Sequence, residues 1–178
     1  MSLRGVVCYS CEETPLGSGF LGGKAMIRVL FVCLGNICRS PMAEGVFQHK
    51  VREVGLEGMI ETDSAGTGNW HVGSQPHPGT MRLLAEKGIT YYHRARQFDR
   101  DDLNEFDYIL TMDEENYADV QALGTGTAKV APFLDYAPHL GVREVPDPYY
   151  TGGFEGVYEL INAAADGLLA VIRKEHSL

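Results

Sequence analysis

Residues 26–41, with the sequence MIRVLFVCLGNICRSP, decide the fold. The nearly continuous apolar run Ile27–Cys33 predicts a buried strand of the kind found in parallel sheets that are covered on both faces. A polar loop follows it. Ser40 and Pro41 then predict the start of a helix, with Ser40 as the N-cap and Pro41 in the first turn. The stretch therefore predicts a strand, a loop and a helix.

The same alternation continues along the chain. The predicted elements are, in order, a helix to about Glu53, a strand from Met59 to Asp63, a helix from Pro78 to Lys87, a strand from Phe106 to Met112, a helix to about Leu123, a strand from Ala128 to Pro132 and a long amphipathic helix from Phe154. Strands that alternate with helices indicate an α/β fold, a parallel sheet with helices on both faces. Ligands of such sheets bind outside the carboxyl ends of the strands, so the loop after Cys33 is the first candidate site.

The bulk properties are those of one domain. The chain has 178 residues, of which 44% are hydrophobic, and this is enough to bury a single core. Residues 1–25 carry no convincing period, and we expect them to be an N-terminal extension: a segment introduced for expression, an upstream start or a genuine part of the protein. The domain is predicted to span residues 26–178.

Charge and hydropathy exclude several classes of partner. The formal net charge of -9 argues against general binding of nucleic acid or of an anionic membrane. No stretch approaches the ~20 apolar residues that a transmembrane helix needs, and the N-terminus lacks a secretory apolar region. We therefore expect a soluble protein in the cytoplasm.

The four cysteines all lie in the first quarter of the chain, at Cys8, Cys11, Cys33 and Cys38. This layout does not suit a disulfide framework that spans a secreted fold. Cys8 and Cys11 have the spacing of half a zinc or redox site, but no second pair completes it. Residues 17–22 have the glycine spacing of a dinucleotide fingerprint, but they precede the first strand instead of following one. We assign neither a function, and we expect His71 and His77 to face solvent and not a metal.

The loop after the first strand has the composition of a phosphate cradle that holds a nucleophile. Cys33 is followed after five residues by Arg39. The backbone N–H groups of a tight loop, which Gly35 permits, attract the roughly two negative charges of a phosphate monoester, and so does a helix start. Arg39 can grip two phosphoryl oxygens, and the positive surroundings favour a nucleophilic thiolate at Cys33. The alternative is a core cysteine beside a surface arginine.

Asp147 is the candidate general acid. It lies in VPDPYY, residues 145–150, where Pro146 and Pro148 restrict the backbone on both sides of the carboxylate. Protonation of a leaving oxygen by a positioned group is typically worth about 10²–10⁴-fold. Alone, an Asp-Pro pair more often marks a turn, and it is the Cys33 loop that favours the acid.

With both motifs in view, the chain resembles the low-molecular-weight protein tyrosine phosphatase family from Met26 to near the C-terminus. The two signatures are VCLGNICRSP at residues 32–41 and DPY at residues 147–149. The resemblance implies a flavodoxin-like, four-stranded parallel sheet of order 2-1-3-4. It also implies that Cys33 forms a phosphocysteine while Asp147 protonates the departing phenol, and that Asp147 then activates the water that releases phosphate.

The resemblance carries expectations about cofactors and partners as well. It implies no metal or other cofactor, and tyrosine-phosphorylated proteins as substrates. It further implies a side activity as an acid phosphatase, inhibition by phosphate-like oxyanions, and a monomer or weak dimer.

The family has a polar network that holds the loop and the thiolate. The matching residues are Asn36, Ser40, Ser64 and His93. By residue type alone, Asn36 would be a turn residue, Ser40 a helix cap and His93 a structural histidine.

The substrate is expected to meet the loop and three aromatic walls. The loop residues matched for substrate binding are Leu34, Gly35, Asn36, Ile37, Cys38 and Ser40. Trp70, Tyr149 and Tyr150 resemble the walls of a slot for a phenyl ring, and the alternative for them is ordinary loop packing. The resemblance also implies that Cys38 captures oxidised Cys33 as a reversible disulfide, whereas the alternative is a small half-buried residue.

Two rival functions share part of this pattern. A thioredoxin-coupled arsenate reductase has the same fold and loop but relays its disulfide through further downstream cysteines, and no cysteine follows Cys38 here. A catalytically idle phosphate-binding or interaction domain would keep the loop but lose the acid or the aromatic walls. Asp147 and Tyr149 argue against that domain.

Overall fold

One parallel sheet organises the molecule. The structure, a computed structural model, describes residues 26–178. The strands are β1 (Ile27–Cys33), β2 (Ile60–Gly66), β3 (Tyr108–Thr111) and β4 (Lys129–Pro132). They pair in the order β2-β1-β3-β4, and all three pairings are parallel. The predicted α/β class and the strand order 2-1-3-4 are confirmed. Residues 1–25, which include the Cys8–Cys11 pair and the glycine spacing at 17–22, lie outside the described residues.

Helices cover both faces of this sheet. They are α1 (Arg39–Glu53), α2 (Pro78–Glu86), α3 (Asp102–Glu105), α4 (Glu114–Ala122), α5 (Pro148–Thr151) and α6 (Phe154–His176). Two short 3₁₀ turns, Phe133–Tyr136 and Pro138–Leu140, follow β4. Within residues 26–178, no helix is long and apolar enough to cross a membrane.

The side chains of β1 alternate between two apolar clusters, because successive residues of a strand point to opposite faces. Val29 and Phe31 belong to the larger cluster, which contains the buried residues of α1 and α6. Leu30 and Val32 belong to the smaller cluster, which contains residues of α3 and α4. All four side chains have 0% exposure. Apolar packing on both faces of the sheet therefore holds the strand that leads to Cys33.

The strand order reverses beside β1. The chain crosses from β1 through α1 to β2 on one side, and it returns to β3 on the other side. The loops that follow β1 and β3 therefore leave the same edge of the sheet next to each other. This is the switch point at which open α/β sheets bind their ligands.

The structure corrects the predicted start of α1. Ser40 was expected as the N-cap, but the helix begins at Arg39, and Cys38 occupies the N-cap position without a side-chain cap. The hydroxyl of Ser40 makes other contacts, described below. The strands differ as well. β2 runs on to Gly66 because it pairs with β1 as far as Cys33, and β3 is shorter than predicted because only Tyr108–Thr111 pairs with its neighbours.

Candidate active site

Cys33 is the last residue of β1, and its thiol faces two donors. The side chain is buried, with 3% exposure. The backbone N–H of Asn36 donates to Sγ at 3.3 Å, and the hydroxyl of Ser40 lies 3.1 Å from the same sulfur. Hydrogen bonds to the charged form of a group favour that form. Both contacts therefore suit a thiolate.

Asn36 is the centre of the network beneath the loop. Its Nδ2 donates to Ser40 Oγ at 2.9 Å and to Ser64 Oγ at 3.0 Å. Its Oδ1 accepts from His93 Nε2 at 2.8 Å and from the backbone N–H of Arg96 at 2.9 Å. The residue is 1% exposed and has a left-handed backbone with φ of 53°. Four hydrogen bonds hold this otherwise unfavourable conformation in place.

The donors and acceptors of the network can be assigned. An amide oxygen only accepts, so the proton of His93 lies on Nε2. Ser40 Oγ accepts from Asn36 and therefore has one proton to give, either to Cys33 Sγ or to the carbonyl of Ala65 at 3.3 Å. A negative sulfur is the stronger acceptor. Ser40, which residue type alone indicates as a helix cap, thus contacts the candidate nucleophile, as the family resemblance predicts.

Glu44 lies at the buried end of the same network. Its Oε2 accepts from Tyr91 Oη at 2.6 Å and from Ser64 Oγ at 2.7 Å. Burial raises the pKa of Glu44 to about 7, while the two hydrogen bonds act in the opposite direction. Burial also lowers the pKa of His93. Sequence analysis missed Glu44, because a glutamate in the first half of an amphipathic helix is typically exposed.

Glu44, Asp63 and His93 are close enough to hold a metal ion, since their ligand atoms lie within 4.8 Å of one another. Both oxygens of Asp63 are already engaged, by Arg96 Nε at 2.8 Å and by the backbone N–H of Ser64 at 2.7 Å. The guanidinium would also repel a cation. The cluster is therefore better described as part of the hydrogen-bonded network than as a metal centre.

Arg39 contributes a buried guanidinium at the first position of α1. Nη1 donates to Asp113 Oδ2 at 2.5 Å and to the carbonyl of Val145 at 3.2 Å, and Nη2 donates to Asp147 Oδ2 at 2.9 Å. Burial alone would lower the pKa of Arg39, but the charges of Cys33, Asp113 and Asp147 outweigh it and raise the pKa. The guanidinium thus stays charged in an interior position.

Asp147 reaches the site from the far end of the chain. It is the N-cap of the short helix α5, and its Oδ1 accepts from the backbone N–H of Tyr149 at 3.0 Å. Pro148 occupies the first position of that helix, so the predicted stiff loop is a capped helical turn. The other carboxylate oxygen faces Arg39, and the side chain remains 31% exposed.

A cavity of about 330 Å³ joins these groups. The predicted residues that line it are Cys33, Leu34, Gly35, Ile37, Cys38, Arg39, Trp70, Asp147, Tyr149 and Tyr150. The other four predicted residues, Asn36, Ser40, Ser64 and His93, form the network beneath the loop. The candidate nucleophile, the arginine and the candidate acid therefore share one cavity whose outer walls are aromatic.

His71 was expected to face solvent, but it lines the cavity. A Cβ atom at Gly35 would lie 3.1 Å from His71 Cδ2, so the glycine allows the imidazole to approach the loop closely. His77 is the N-cap of α2, where Nδ1 accepts from the backbone N–H of Gly79 at 3.0 Å. Its ring stacks on Phe154 with centroids 5.1 Å apart. Neither histidine belongs to a candidate metal cluster among the described residues.

Cys38 and Asp113 complete the surroundings of the loop. Cys38 is 4% exposed, and its pKa is raised to about 12, chiefly by burial and then by the charges of Asp147 and Cys33. Asp113 was missed from the sequence. A usable signal was present, because Asp113 follows closely after β3, the strand beside β1, and therefore lies at the same edge of the sheet.

Comparison with known proteins identifies the same family as the two motifs. Residues 28–178 match the family model described as low molecular weight phosphotyrosine protein phosphatase. The low molecular weight protein-tyrosine-phosphatase YfkJ of Bacillus subtilis is 49% identical over 156 residues, which cover 86% of this chain and 100% of that protein. The low molecular weight phosphotyrosine protein phosphatase of Schizosaccharomyces pombe is 48% identical over 133 residues, covering 73% and 85%.

Solved structures agree on the fold. The crystal structure of YfkJ from Bacillus subtilis matches with a TM-score of 0.83, covering 85% of this chain and 97% of that one. The crystal structure of DARP, a Drosophila arginine phosphatase, matches with a TM-score of 0.79 at 32% identity, covering 83% and 98%. The resemblance inferred from the two motifs is confirmed: the chain belongs to the low molecular weight phosphotyrosine protein phosphatase family.

Proposed function

We propose that the chain hydrolyses phosphotyrosine in proteins through a phosphocysteine on Cys33. The observation that carries the proposal is the convergence of the Cys33 sulfur, the Arg39 guanidinium and the Asp147 carboxyl group in one cavity. In the first step the thiolate attacks phosphorus, an S–P bond forms and the P–O bond to the phenol breaks. Asp147 gives its proton to the leaving oxygen. Arg39 and the loop N–H groups stabilise the charge on the equatorial oxygens.

The second step reverses the role of Asp147. The carboxylate takes a proton from a water molecule, whose oxygen attacks phosphorus while the S–P bond breaks. Inorganic phosphate leaves, and Cys33 returns to the thiolate. The position of Asp147 supports this role, because the carboxylate is both within reach of the phosphate clamp and partly open to water.

The walls of the cavity support an aryl substrate. Trp70, Tyr149 and Tyr150 are 71%, 47% and 84% exposed at its mouth, so they can contact a phenyl ring and the peptide that carries it. Phosphate-like oxyanions such as vanadate are expected to compete for the same cradle. The cytoplasmic location and the monomer or weak dimer remain predictions, as does the extension at residues 1–25.

The test is hydrolysis of aryl phosphates by the wild type, by Cys33→Ser and by Asp147→Ala. Cys33→Ser is expected to fall to the background rate, and activity that survives it would exclude the mechanism. Asp147→Ala is expected to lower kcat by about 10²–10⁴-fold, with the larger losses for poor leaving groups, because these depend most on protonation. Equal losses across leaving groups would contradict the role of Asp147.

Peptides distinguish the substrate class. Phosphotyrosine, phosphoserine and phosphoarginine peptides of one sequence are compared, since one solved relative is an arginine phosphatase. The proposal requires the highest kcat/KM for the phosphotyrosine peptide. A preference for the phosphoarginine peptide would keep the phosphatase chemistry and change the substrate.

We also propose that Cys38 protects Cys33 from irreversible oxidation. Peroxide converts the Cys33 thiolate to a sulfenic acid; the Cys38 sulfur then attacks it, an S–S bond forms and water leaves, and an external thiol restores both cysteines. Because burial raises the pKa of Cys38, the second step is expected to be slow at neutral pH. If inactivation by peroxide reverses equally well in Cys38→Ala, the protective role is wrong.

A further inference from the structure

The buried guanidinium of Arg39 has two carboxylate partners, and they differ in character. Asp147 lines the cavity and is 31% exposed, whereas Asp113 does not line it and is 19% exposed. Asp113 Oδ2 accepts from Nη1 and Asp147 Oδ2 accepts from Nη2. Asp113 therefore lies behind the guanidinium, away from any substrate in the cavity.

Asp113 is itself held firmly. It is the N-cap of α4, where its Oδ1 accepts from the backbone N–H of Asn116 at 2.8 Å. Next to it in the chain, the carbonyl of Met112 accepts from the backbone N–H of Val145 at 2.8 Å, and the carbonyl of Val145 is the second acceptor of Nη1. Both acceptors of Nη1 are thus tied to the carboxyl end of β3.

Counting donors shows which part of Arg39 faces the phosphate. A guanidinium has five N–H groups. Three of them are used, two on Nη1 by Asp113 and Val145 and one on Nη2 by Asp147. Two are left without an acceptor among residues 26–178, one on Nε and one on Nη2. Nε and Nη2 lie on the same edge of the guanidinium, and two donors on one edge match two oxygens of a phosphoryl group.

The charge of Asp113 helps to keep the buried guanidinium charged, but it does not help phosphate to bind. The cavity must accept a phosphate dianion beside the Cys33 thiolate and the carboxyl group of Asp147, and one more carboxylate makes that binding less favourable. Any benefit to the reaction itself is therefore geometric. A fixed Nη1 prevents the guanidinium from rotating about its long side chain, so the Nε and Nη2 donors stay aimed at the phosphoryl oxygens.

We infer that Asp113 is a positioning residue, which orients Arg39 so that the Nε and Nη2 edge of the guanidinium clamps the transferring phosphoryl group. The inference rests on the proposed phosphatase function. It assigns Asp113 no contact with substrate and no proton transfer. Its removal should therefore lower kcat, which depends on the alignment of Arg39, without raising KM, because the lost negative charge favours binding of the dianion.

The test uses Asp113→Ser, because serine keeps the N-cap of α4 but is too short to reach Arg39. We expect kcat for an aryl phosphate to fall by about 10–10²-fold, the scale of a small misplacement of a catalytic group, with KM unchanged or lower. The fractional loss should be the same for good and poor leaving groups, unlike that of Asp147→Ala. Glu114→Gln is the matched control, since it removes an exposed neighbouring carboxylate and should leave kcat unchanged.

A double-mutant cycle shows whether Asp113 acts through Arg39. If it does, Asp113→Ser should cost less than about threefold in the Arg39→Lys background, because lysine lacks the fork that Asp113 orients. Equal losses in both backgrounds, a kcat within twofold of wild type, or a loss confined to poor leaving groups would each overturn the inference. If Asp113→Ser does not fold, Asp113→Thr, which also keeps the N-cap and is too short to reach Arg39, carries the same test. A wild type without aryl phosphatase activity would instead refute the proposed function.

Discussion

The two sides of the cavity are built differently. On the phosphate side, Cys33, Asn36 and Arg39 are at most 4% exposed, and each side chain has several hydrogen-bond partners. On the leaving-group side, Trp70 and Tyr150 are mostly exposed. Electrostatic stabilisation requires donors that are fixed before the reaction, whereas recognition of a protein substrate requires surface that the substrate can reach. Under the proposed function, the contrast teaches that the residues for catalysis are buried and those for substrate recognition are exposed.

Among variants that keep Cys33, Arg39 and Asp147, the largest effect is expected at Asn36, the centre of the phosphate side. Asn36→Gly keeps the left-handed backbone but removes all four side-chain hydrogen bonds, and we expect kcat/KM for an aryl phosphate to fall by about 10²–10³-fold, as when a preorganised donor is lost. Steady-state kinetics measure it.

A comparison of Asn36→Ala with Asn36→Gly distinguishes the loss of the hydrogen bonds from backbone strain. Alanine also opposes the φ of 53°, so this variant should have a lower Tm than Asn36→Gly with a similar loss of activity. If Asn36→Gly keeps nearly full activity, the rigid phosphate side is not needed for catalysis, and the contrast drawn above fails.

The second effect concerns stability on the phosphate side. The pKa of Glu44 is about 7 in the folded protein against 4.5 as the ordinary value, so the folded state binds the proton more tightly than the unfolded state. The stability that this provides is present below pH 4.5 and is lost as the pH rises to about 7. The free energy of unfolding should therefore fall by on the order of 3 kcal/mol over this range.

Glu44→Gln tests this assignment. Glutamine stays neutral and its oxygen can still accept from Tyr91 and Ser64, so urea denaturation should show a flatter pH dependence than in the wild type. Glu57→Gln, at an exposed carboxylate, is the matched control and should retain the wild-type slope. An unchanged slope in Glu44→Gln would mean that another group titrates.

The smallest effect is expected on the leaving-group side. Tyr149→Ala should raise KM for a phosphotyrosine peptide by about three- to tenfold, the scale of one aromatic contact, with little change in Tm because the ring is 47% exposed. Tyr92→Ala removes another exposed ring, one that does not line the cavity, and should leave KM unchanged. A Tm loss as large as that of Asn36→Ala would show that the wall is structural.

Sequence analysis succeeded where the chemistry is local or where a motif carried it. Five residues separate Cys33 from Arg39, at the two ends of one loop, and the strand order 2-1-3-4 came with the resemblance to a family. Asp147 was proposed because it lies between two prolines and because the Cys33 loop and the family resemblance favour an acid there. The structure places it in the same cavity as Cys33 and Arg39.

The missed residues depend on distant partners. Asp113 is 74 positions from Arg39, and only the adjacency of β1 and β3 brings them together. Glu44 is buried because Tyr91, 47 positions away, covers it. Residue type alone indicates only a helix cap at Ser40, and it was the family resemblance that placed this residue in the network beside the thiol of Cys33. Tertiary packing decides such roles, and local patterns do not encode it.

The burial of β1 has a consequence for how activity is lost on unfolding. Its residues from Val29 to Val32 are fully buried between two helical layers, and Cys33 continues the same strand. Strands of this kind exchange their amide hydrogens only when the whole domain opens. The proposed nucleophile is therefore displaced only when the core unfolds. Enzymatic activity should disappear together with global unfolding, and aryl phosphatase activity can serve as a direct reporter of the folded population.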